Sequence, residues 1–130
     1  MVTTAYLDTS AAMKLVVDEA ESEALVEELS ASPPRRVVAS WLLHAELHCA
    51  AGRNPALIDA SAITAVLDTI ILVDVTRGDL LAAGTQAPLR SADAIHLATA
   101  LRLGVDEIVT YGIGLTRAAE AAGLRIIAPA

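Results

Sequence analysis

Thr3-Thr-Ala-Tyr-Leu-Asp8-Thr-Ser-Ala-Ala-Met-Lys-Leu-Val-Val17 is the stretch whose reading decides the fold. Thr3 to Leu7 is a short β-prone segment, Asp8 follows it directly, and Thr9-Ser10 offers an N-cap to a helix running to about Val17. The order strand, acid, cap, helix places Asp8 at the carboxyl end of a first strand, where open α/β sheets collect their ligands. A turn acid is the plainer account of Asp8. A hydroxyl pair immediately after a strand-end acid suits a polar site better.

The same alternation continues along the chain. Ala20–Leu29 reads as an amphipathic helix, and Ser30–Arg36, with Pro33-Pro34, as a loop whose Arg35-Arg36 pair forms a solvated edge. Val37–Ala39 is a second strand, and Ser40 caps a third helix from Trp41 to about Arg53. Beyond the break at Gly52-Arg-Asn-Pro55 come a helix over Ala56–Leu67 and a strand over Ile70–Val75. Thr76 caps a short helix to Ala83, in which Asp79 reads as a surface residue. Gly84–Pro88 is a loop, and Ser91 caps a helix that stops at Leu103-Gly104. Glu107–Thr110 is a fourth strand, Tyr111–Gly114 a turn, Leu115–Ala122 a last helix and Leu124–Ile127 a fifth strand. Short strands alternating with helices predict an α/β three-layer sandwich around a mostly parallel five-stranded sheet, in a single domain over 1–130.

Composition sets limits on function. The chain has 130 residues, 55% of them hydrophobic but only 2% aromatic and none of them Phe, so the core must be Ala, Leu, Val and Ile. No apolar run reaches the roughly 20 residues of a membrane span. The first residues lack the basic region of a signal peptide, so a cytoplasmic protein is expected. The lone Cys49 lies in an apolar helical pattern and reads as a buried, reduced thiol. Sixteen acids against nine bases give a net charge of −7, which argues against sequence-blind coating of nucleic acid. A nuclease remains open, because a bound divalent cation reverses the local sign of a carboxylate cluster.

Two further acids stand at informative places. Asp93 lies in the first turn of the helix in Leu89-Arg-Ser-Ala-Asp-Ala-Ile-His-Leu-Ala-Thr-Ala100, where it complements the helix dipole or holds a metal. Glu46, in Leu42-Leu-His-Ala-Glu-Leu-His48, borders the apolar stripe of Leu43 and Leu47 and is either a boundary residue or an acid directed into a cleft. Magnesium prefers carboxylate oxygens plus retained waters, and such an ion supports in-line attack on a phosphate. His44 and His48 are i,i+4 neighbours without a His-Glu-x-x-His pattern, so a zinc site is disfavoured. There is no phosphate-binding glycine loop, Gly-x-Ser-x-Gly motif or Cys–His pair. His96 reads as a packing and hydrogen-bonding group rather than a general acid or base, Trp41 as a packing residue, and Lys14 as solvated or paired with an acid. Arg90 is placed either to reach a substrate phosphate or to lie on the surface. A binding module is the acid-independent alternative.

Tyr6-Leu-Asp-Thr-Ser-Ala11, Ala45-Glu-Leu47, Ser91-Ala-Asp-Ala-Ile-His-Leu-Ala-Thr-Ala100, Val109-Thr-Tyr111 and Ala121-Ala-Gly-Leu124 together resemble the PIN-domain family, most closely the VapC-type toxins of bacterial toxin–antitoxin pairs. The resemblance spans nearly the whole chain, with the motifs in the expected order. It implies a PIN-like sheet in which the first and fourth strands are neighbours, and a Mg²⁺- or Mn²⁺-dependent endoribonuclease. It further implies a homodimer that acts on RNA and is blocked by a cognate antitoxin. Carried over by motif, Asp8, Glu46 and Asp93 become the metal-site acids, with Thr9 and Thr110 as polar supporters. Many members have a fourth acid where this chain has Gly112, which also reads as a turn glycine with positive φ. Asp106 precedes the fourth strand and lies at its opposite end, so it is a poor substitute. A PIN fold with weakened or lost catalysis, kept for binding, is therefore the second reading.

Overall fold

The structure is a computed structural model that describes residues 2–130. Along the chain run β1 (Thr3–Leu7), α1 (Thr9–Val16), α2 (Ser22–Ser30), β2 (Arg35–Ser40), α3 (Trp41–Arg53) and α4 (Ala60–Leu67). They are followed by β3 (Ile71–Val73), α5 (Arg77–Ala83), α6 (Ser91–Leu103), β4 (Glu107–Val109), α7 (Ile113–Ala121) and β5 (Arg125–Ile127). The strands form one five-stranded sheet in the order β3-β2-β1-β4-β5. All its pairings are parallel, so the expectation of a mostly parallel sheet sharpens to a wholly parallel one. β1 and β4 are neighbours, with Leu7 opposite Val109. The chain moves outward from β1 through β2 to β3, then returns to β1's other side. The order therefore reverses between β1 and β4, where open α/β sheets form a crevice at their carboxyl edge.

Strand residues alternate between two cores, as a sheet covered on both faces requires. Ala5, Leu7, Ala39 and Val109 pack with Ala11 and Ala12 of α1, Leu25 of α2, Leu43 and Leu47 of α3 and Ile63 of α4. Tyr6, Val38 and Ile108 face the other way, onto Leu97 and Ala100 of α6 and Leu115 and Ala119 of α7. With so few aromatics, the helices approach the sheet on small and branched side chains. Among the described residues, no helix is long and apolar enough to cross a membrane.

Local chemistry shifts several expected boundaries. Asp8 itself is the N-cap of α1, its carboxylate accepting the Ala11 N–H, so Thr9-Ser10 are helical rather than capping. The N-cap of α6 is Arg90, without a side-chain cap, and Ser91 is its first residue. α4 begins at Ala60 instead of Ala56, because Asp59 caps it through the Ser61 N–H. Gly104 ends α6 at φ 66, the left-handed value expected of a helix-stopping glycine.

Four side chains occupy environments opposite to those expected. Cys49 is exposed, on the solvent side of α3. Trp41 is 49% exposed at the start of α3, tilted against His44 with ring centroids 5.5 Å apart. Asp79 is 2% exposed, because it closes a capping box with Thr76 and accepts from Arg102 Nε at 2.7 Å. The Arg102 guanidinium, and then the Thr76 cap, hold the Asp79 carboxyl below the usual range. Arg35 lies within β2, where its guanidinium meets Glu107 of β4 and Glu28 of α2.

Glu107, which drew no attention in the sequence, is fully buried and paired with both Arg35 and Arg125. Removing one partner of a buried pair strands the other charge, whereas an exposed partner is replaced by water. The side chains of Arg35 and Arg125 are 13% and 65% exposed, so the two should differ. Arg35→Met is expected to lower the unfolding free energy by about 3 kcal/mol. Arg125→Ala should cost about 1 kcal/mol or less. Urea denaturation of both variants checks this, and equal losses would count against Arg35 as the pair's anchor.

Candidate active site

The carboxyl ends of β1 and β4 bring Asp8 and Thr110 together. Asp8 is 2% exposed. Its Oδ2 accepts from Thr110 Oγ1 at 2.8 Å, and its Oδ1 accepts from Ser10 Oγ at 2.8 Å and from the Ala11 N–H at 3.0 Å. Ser10 Oγ in turn accepts the Tyr111 N–H at 3.0 Å, which ties α1 to the chain leaving β4. Burial pushes the Asp8 carboxyl upward, although these donors pull it the other way.

Thr9, the next residue, carries the site to a second acid. Its hydroxyl donates to Glu46 Oε1 at 2.6 Å, and His96 Nε2 lies 2.7 Å from the same oxygen. Burial pushes Glu46 upward, but the hydrogen bonds from His96 and Thr9 prevail and hold its carboxyl below the usual range. Glu46 Oε1 is thus turned inward onto Thr9 and His96, while the side chain as a whole stays 28% exposed. It lines a groove of about 460 Å³ together with Thr9, Met13, Cys49 and Arg53. Asp93 is half-buried in the first turn of α6, one turn before His96 and on the same helix face. It takes part in no hydrogen bond or ion pair among the described residues.

The remaining expected residues are dispersed. Arg90 is exposed at the start of α6. Lys14 is paired with Glu19 and Glu21 and sits over the Tyr111 ring, 4.9 Å from its centroid. Asp106 bonds the Thr4 N–H at 2.9 Å, at the amino end of β1, far from Asp8. Gly112 has φ −76 rather than a positive value, so its backbone does not require glycine. A Cβ there would stand 3.5 Å from Thr110 Oγ1, an ordinary contact. Sequence reasoning missed Tyr6 as a member of the hydrogen-bonded site, whereas Ser10 belongs to the hydroxyl pair expected to make the strand end polar. The one available signal for Tyr6 was its position two residues before Asp8 in the strand.

No three His, Cys, Asp or Glu side chains among the described residues stand close enough to enclose a metal ion. The donor chemistry does fit a hard divalent cation, which takes carboxylate and other oxygen ligands. Among the described residues, Glu46 Oε2 and both Asp93 oxygens take part in no hydrogen bond, and no Lys or Arg forms an ion pair with Asp8, Glu46 or Asp93.

A family model, PIN domain, matches residues 5–121. The chain belongs to the PIN-domain family. Among curated PIN-domain relatives, it is 43% identical over 133 residues to Ribonuclease VapC46 of Mycobacterium tuberculosis, covering 95% of this chain and 96% of that protein. Ribonuclease VapC35 of the same organism is 39% identical over 130 residues, with the same coverage. The fold is also that of VapBC2 from Rickettsia felis bound to a promoter DNA fragment. That match has a TM-score of 0.75 at 12% identity and covers 98% of this chain and 100% of that one. The sarcin-ricin-loop-cleaving toxin VapC20 of Mycobacterium tuberculosis matches with a TM-score of 0.68 at 19% identity, over 92% and 95% of the two chains. At these identities the solved structures establish the PIN fold alone.

The raised position of Asp8 fixes the sign of a stability effect. A carboxyl with a higher pKa folded than unfolded binds more protons in the native state between those values. Its favourable contribution is therefore full at low pH and lost as pH rises through the folded pKa. In chelator-treated, metal-free buffer, Asp8→Asn is expected to melt above the parent protein at pH 7. The gap should close as pH falls below the usual carboxylate range. Thermal melts across pH check this, and a lower melting point for Asp8→Asn at pH 7 would contradict it.

Proposed function

We propose that this PIN-domain protein is a divalent-metal-dependent endoribonuclease and the toxin of a bacterial toxin–antitoxin pair, acting in the cytoplasm on RNA phosphodiester bonds. The observation that carries the reading is the pair of carboxylates joined through Thr9 at the point where the strand order reverses, Asp8 on one side and Glu46 on the other. Its named relatives, ribonucleases matched over nearly their whole length, support it.

Asp8, Glu46 and Asp93 would hold the ion, Mg²⁺ or Mn²⁺. Bound there, such an ion supplies Lewis acidity toward a phosphate and lowers the pKa of a water. The chain's own residues prepare the ground. Thr110, Ser10 and the Ala11 N–H fix Asp8, and Thr9 with His96 fixes Glu46, so their carboxylates are oriented before any ligand arrives. Arg90, exposed beside the Asp93 turn, would meet a substrate phosphate. A homodimer and a cognate antitoxin complete the reading. Leu80 and Leu81 of α5, 52% and 70% exposed, are apolar surface that such partners would cover.

Asp8→Asn and Asp93→Asn are each expected to lower RNA cleavage by about 100-fold or more, the scale on which loss of one charge-stabilising group registers. Chelation should stop cleavage and added Mn²⁺ or Mg²⁺ restore it, read on labelled structured RNAs. Full cleavage by both variants would sink the reading.

One observation favours the second reading, a PIN fold kept for binding. The Gly112 N–H donates to Thr110 Oγ1 at 3.1 Å, so this position abuts the Asp8 cradle yet brings no carboxylate. A Cβ there makes only ordinary contacts, and Asp is a favoured N-cap residue at this position before α7. Gly112→Asp should therefore fold and cleave at a lower Mn²⁺ concentration than the parent protein. Cleavage by the variant alone would establish the binding module instead.

A further inference from the structure

His96 is 1% exposed, and both of its ring nitrogens are engaged. Nδ1 lies 2.6 Å from Tyr6 Oη, while Nε2 lies 2.7 Å from Glu46 Oε1 and 3.1 Å from Thr9 Oγ1. Counting donors assigns the hydrogens. The backbone N–H of Ser40 can only donate, and it donates to Tyr6 Oη at 3.2 Å. Tyr6 is fully buried, and its phenol carries one hydrogen to donate. Among the described residues, Nδ1, 2.6 Å away, is the one acceptor within hydrogen-bond distance of that hydroxyl. A neutral imidazole receiving at Nδ1 carries its hydrogen on Nε2, where Glu46 Oε1 accepts it. Every donor in the chain from Ser40 through Tyr6 and His96 points toward Glu46.

The result at Glu46 is asymmetric. Oε1 takes both Nε2 and the Thr9 hydroxyl, whereas Oε2 has no hydrogen-bond partner among the described residues. Burial of His96 would follow from packing alone. The one-way order of donors, and the arrival of two of them on a single carboxylate oxygen, would not.

We propose that His96, with its tautomer set by Tyr6, is the positioning residue of the site, holding Glu46 by Oε1 so that Oε2 is the oxygen offered to a divalent cation. The proposal rests on the metal-dependent reading above. Without the Tyr6 hydroxyl, Nδ1 is free to take the ring hydrogen. Nε2 then turns a lone pair toward Glu46, and the carboxylate loses its anchor. Groups that orient metal ligands in this way typically contribute about 10- to 100-fold in metal affinity or activity.

The test uses the full chain without RNA. In metal-free protein, ¹⁵N imidazole NMR should show His96 in the Nε2–H form, and the Nδ1–H form should appear in Tyr6→Phe. Mn²⁺ binding, followed by the EPR signal of the free ion, should weaken about tenfold or more in Tyr6→Phe and His96→Leu. His96→Gln, whose amide N–H reaches the Nε2 position, should recover most of the affinity. Cooperative melting of each variant shows that it is folded, and Tyr6→Phe, which keeps the ring, decides the matter if His96→Leu does not fold. An Nδ1–H tautomer in the parent protein overturns the proposal. So does unchanged Mn²⁺ affinity in Tyr6→Phe, or a Gln variant no better than a folded Leu variant. A parent protein with the Nε2–H tautomer but no Mn²⁺ binding overturns the metal reading instead, and with it the role given to Glu46.

Discussion

The Asp8 carboxylate is the interaction on which the rest of the site depends. It caps α1 through the Ala11 N–H, and it joins β1 to the end of β4 through Thr110. The second bond is available only because β1 and β4 are neighbours, which sets their carboxyl ends side by side. An N-cap contributes about 1 kcal/mol, so the acid has a structural role of its own. Burial nevertheless works against its charge. A neutral Asn would serve the cap nearly as well, so the cap alone does not account for a charged group there.

From Asp8 the site spreads into both helical layers. Thr9 leads to Glu46 on α3, which packs on one face of the sheet, and His96 reaches the same oxygen from α6, on the other. Side chains from opposite layers are separated by the sheet everywhere except at its edges. Glu46 and His96 meet at the carboxyl edge, which also holds the N-termini of α1 and α3. Tyr6 supports them from within the sheet because its side chain alternates away from Leu7, onto the α6 face.

Much of this architecture was legible in the sequence, and the parts that were not share a cause. Strands and helices announce themselves through near-neighbour patterns: the β-prone Thr3–Leu7, the spacing of Leu43 and Leu47, and the stop at Gly104. Asp8, Glu46 and Asp93 stood out because motif and local position agree. Asp79, Glu107 and Arg35 did not, because their burial depends on partners remote in sequence: Glu107 is 72 residues from Arg35, and Asp79 is 23 from Arg102. Cys49 and Trp41 were misplaced for the converse reason. Trp41, Leu42, Ala45 and Cys49 carry apolar character beyond the Leu43 and Leu47 stripe of their helix, and the identity of its covered face is decided by the sheet and by α1 and α4. The role of Tyr6 was hidden by its own suitability as a strand residue.

The buried acids also separate into two kinds, and the difference bears on function. Glu107 lies between two arginines and Asp79 against a third, so each of those charges is compensated by the fold itself. Asp8 and Glu46 are held by hydroxyls, an amide and an imidazole, which orient a carboxylate, and neither acid is paired with a Lys or Arg among the described residues. An evolved fold that pairs its structural acids with arginine had the same means available at the carboxyl edge. Oriented yet uncompensated carboxylates are what a cation site requires before the cation arrives, since an arginine in that place would compete for the same oxygens. Under the metal-dependent reading proposed above, the negative net charge of −7 would matter less for RNA than the sign of this edge with an ion bound.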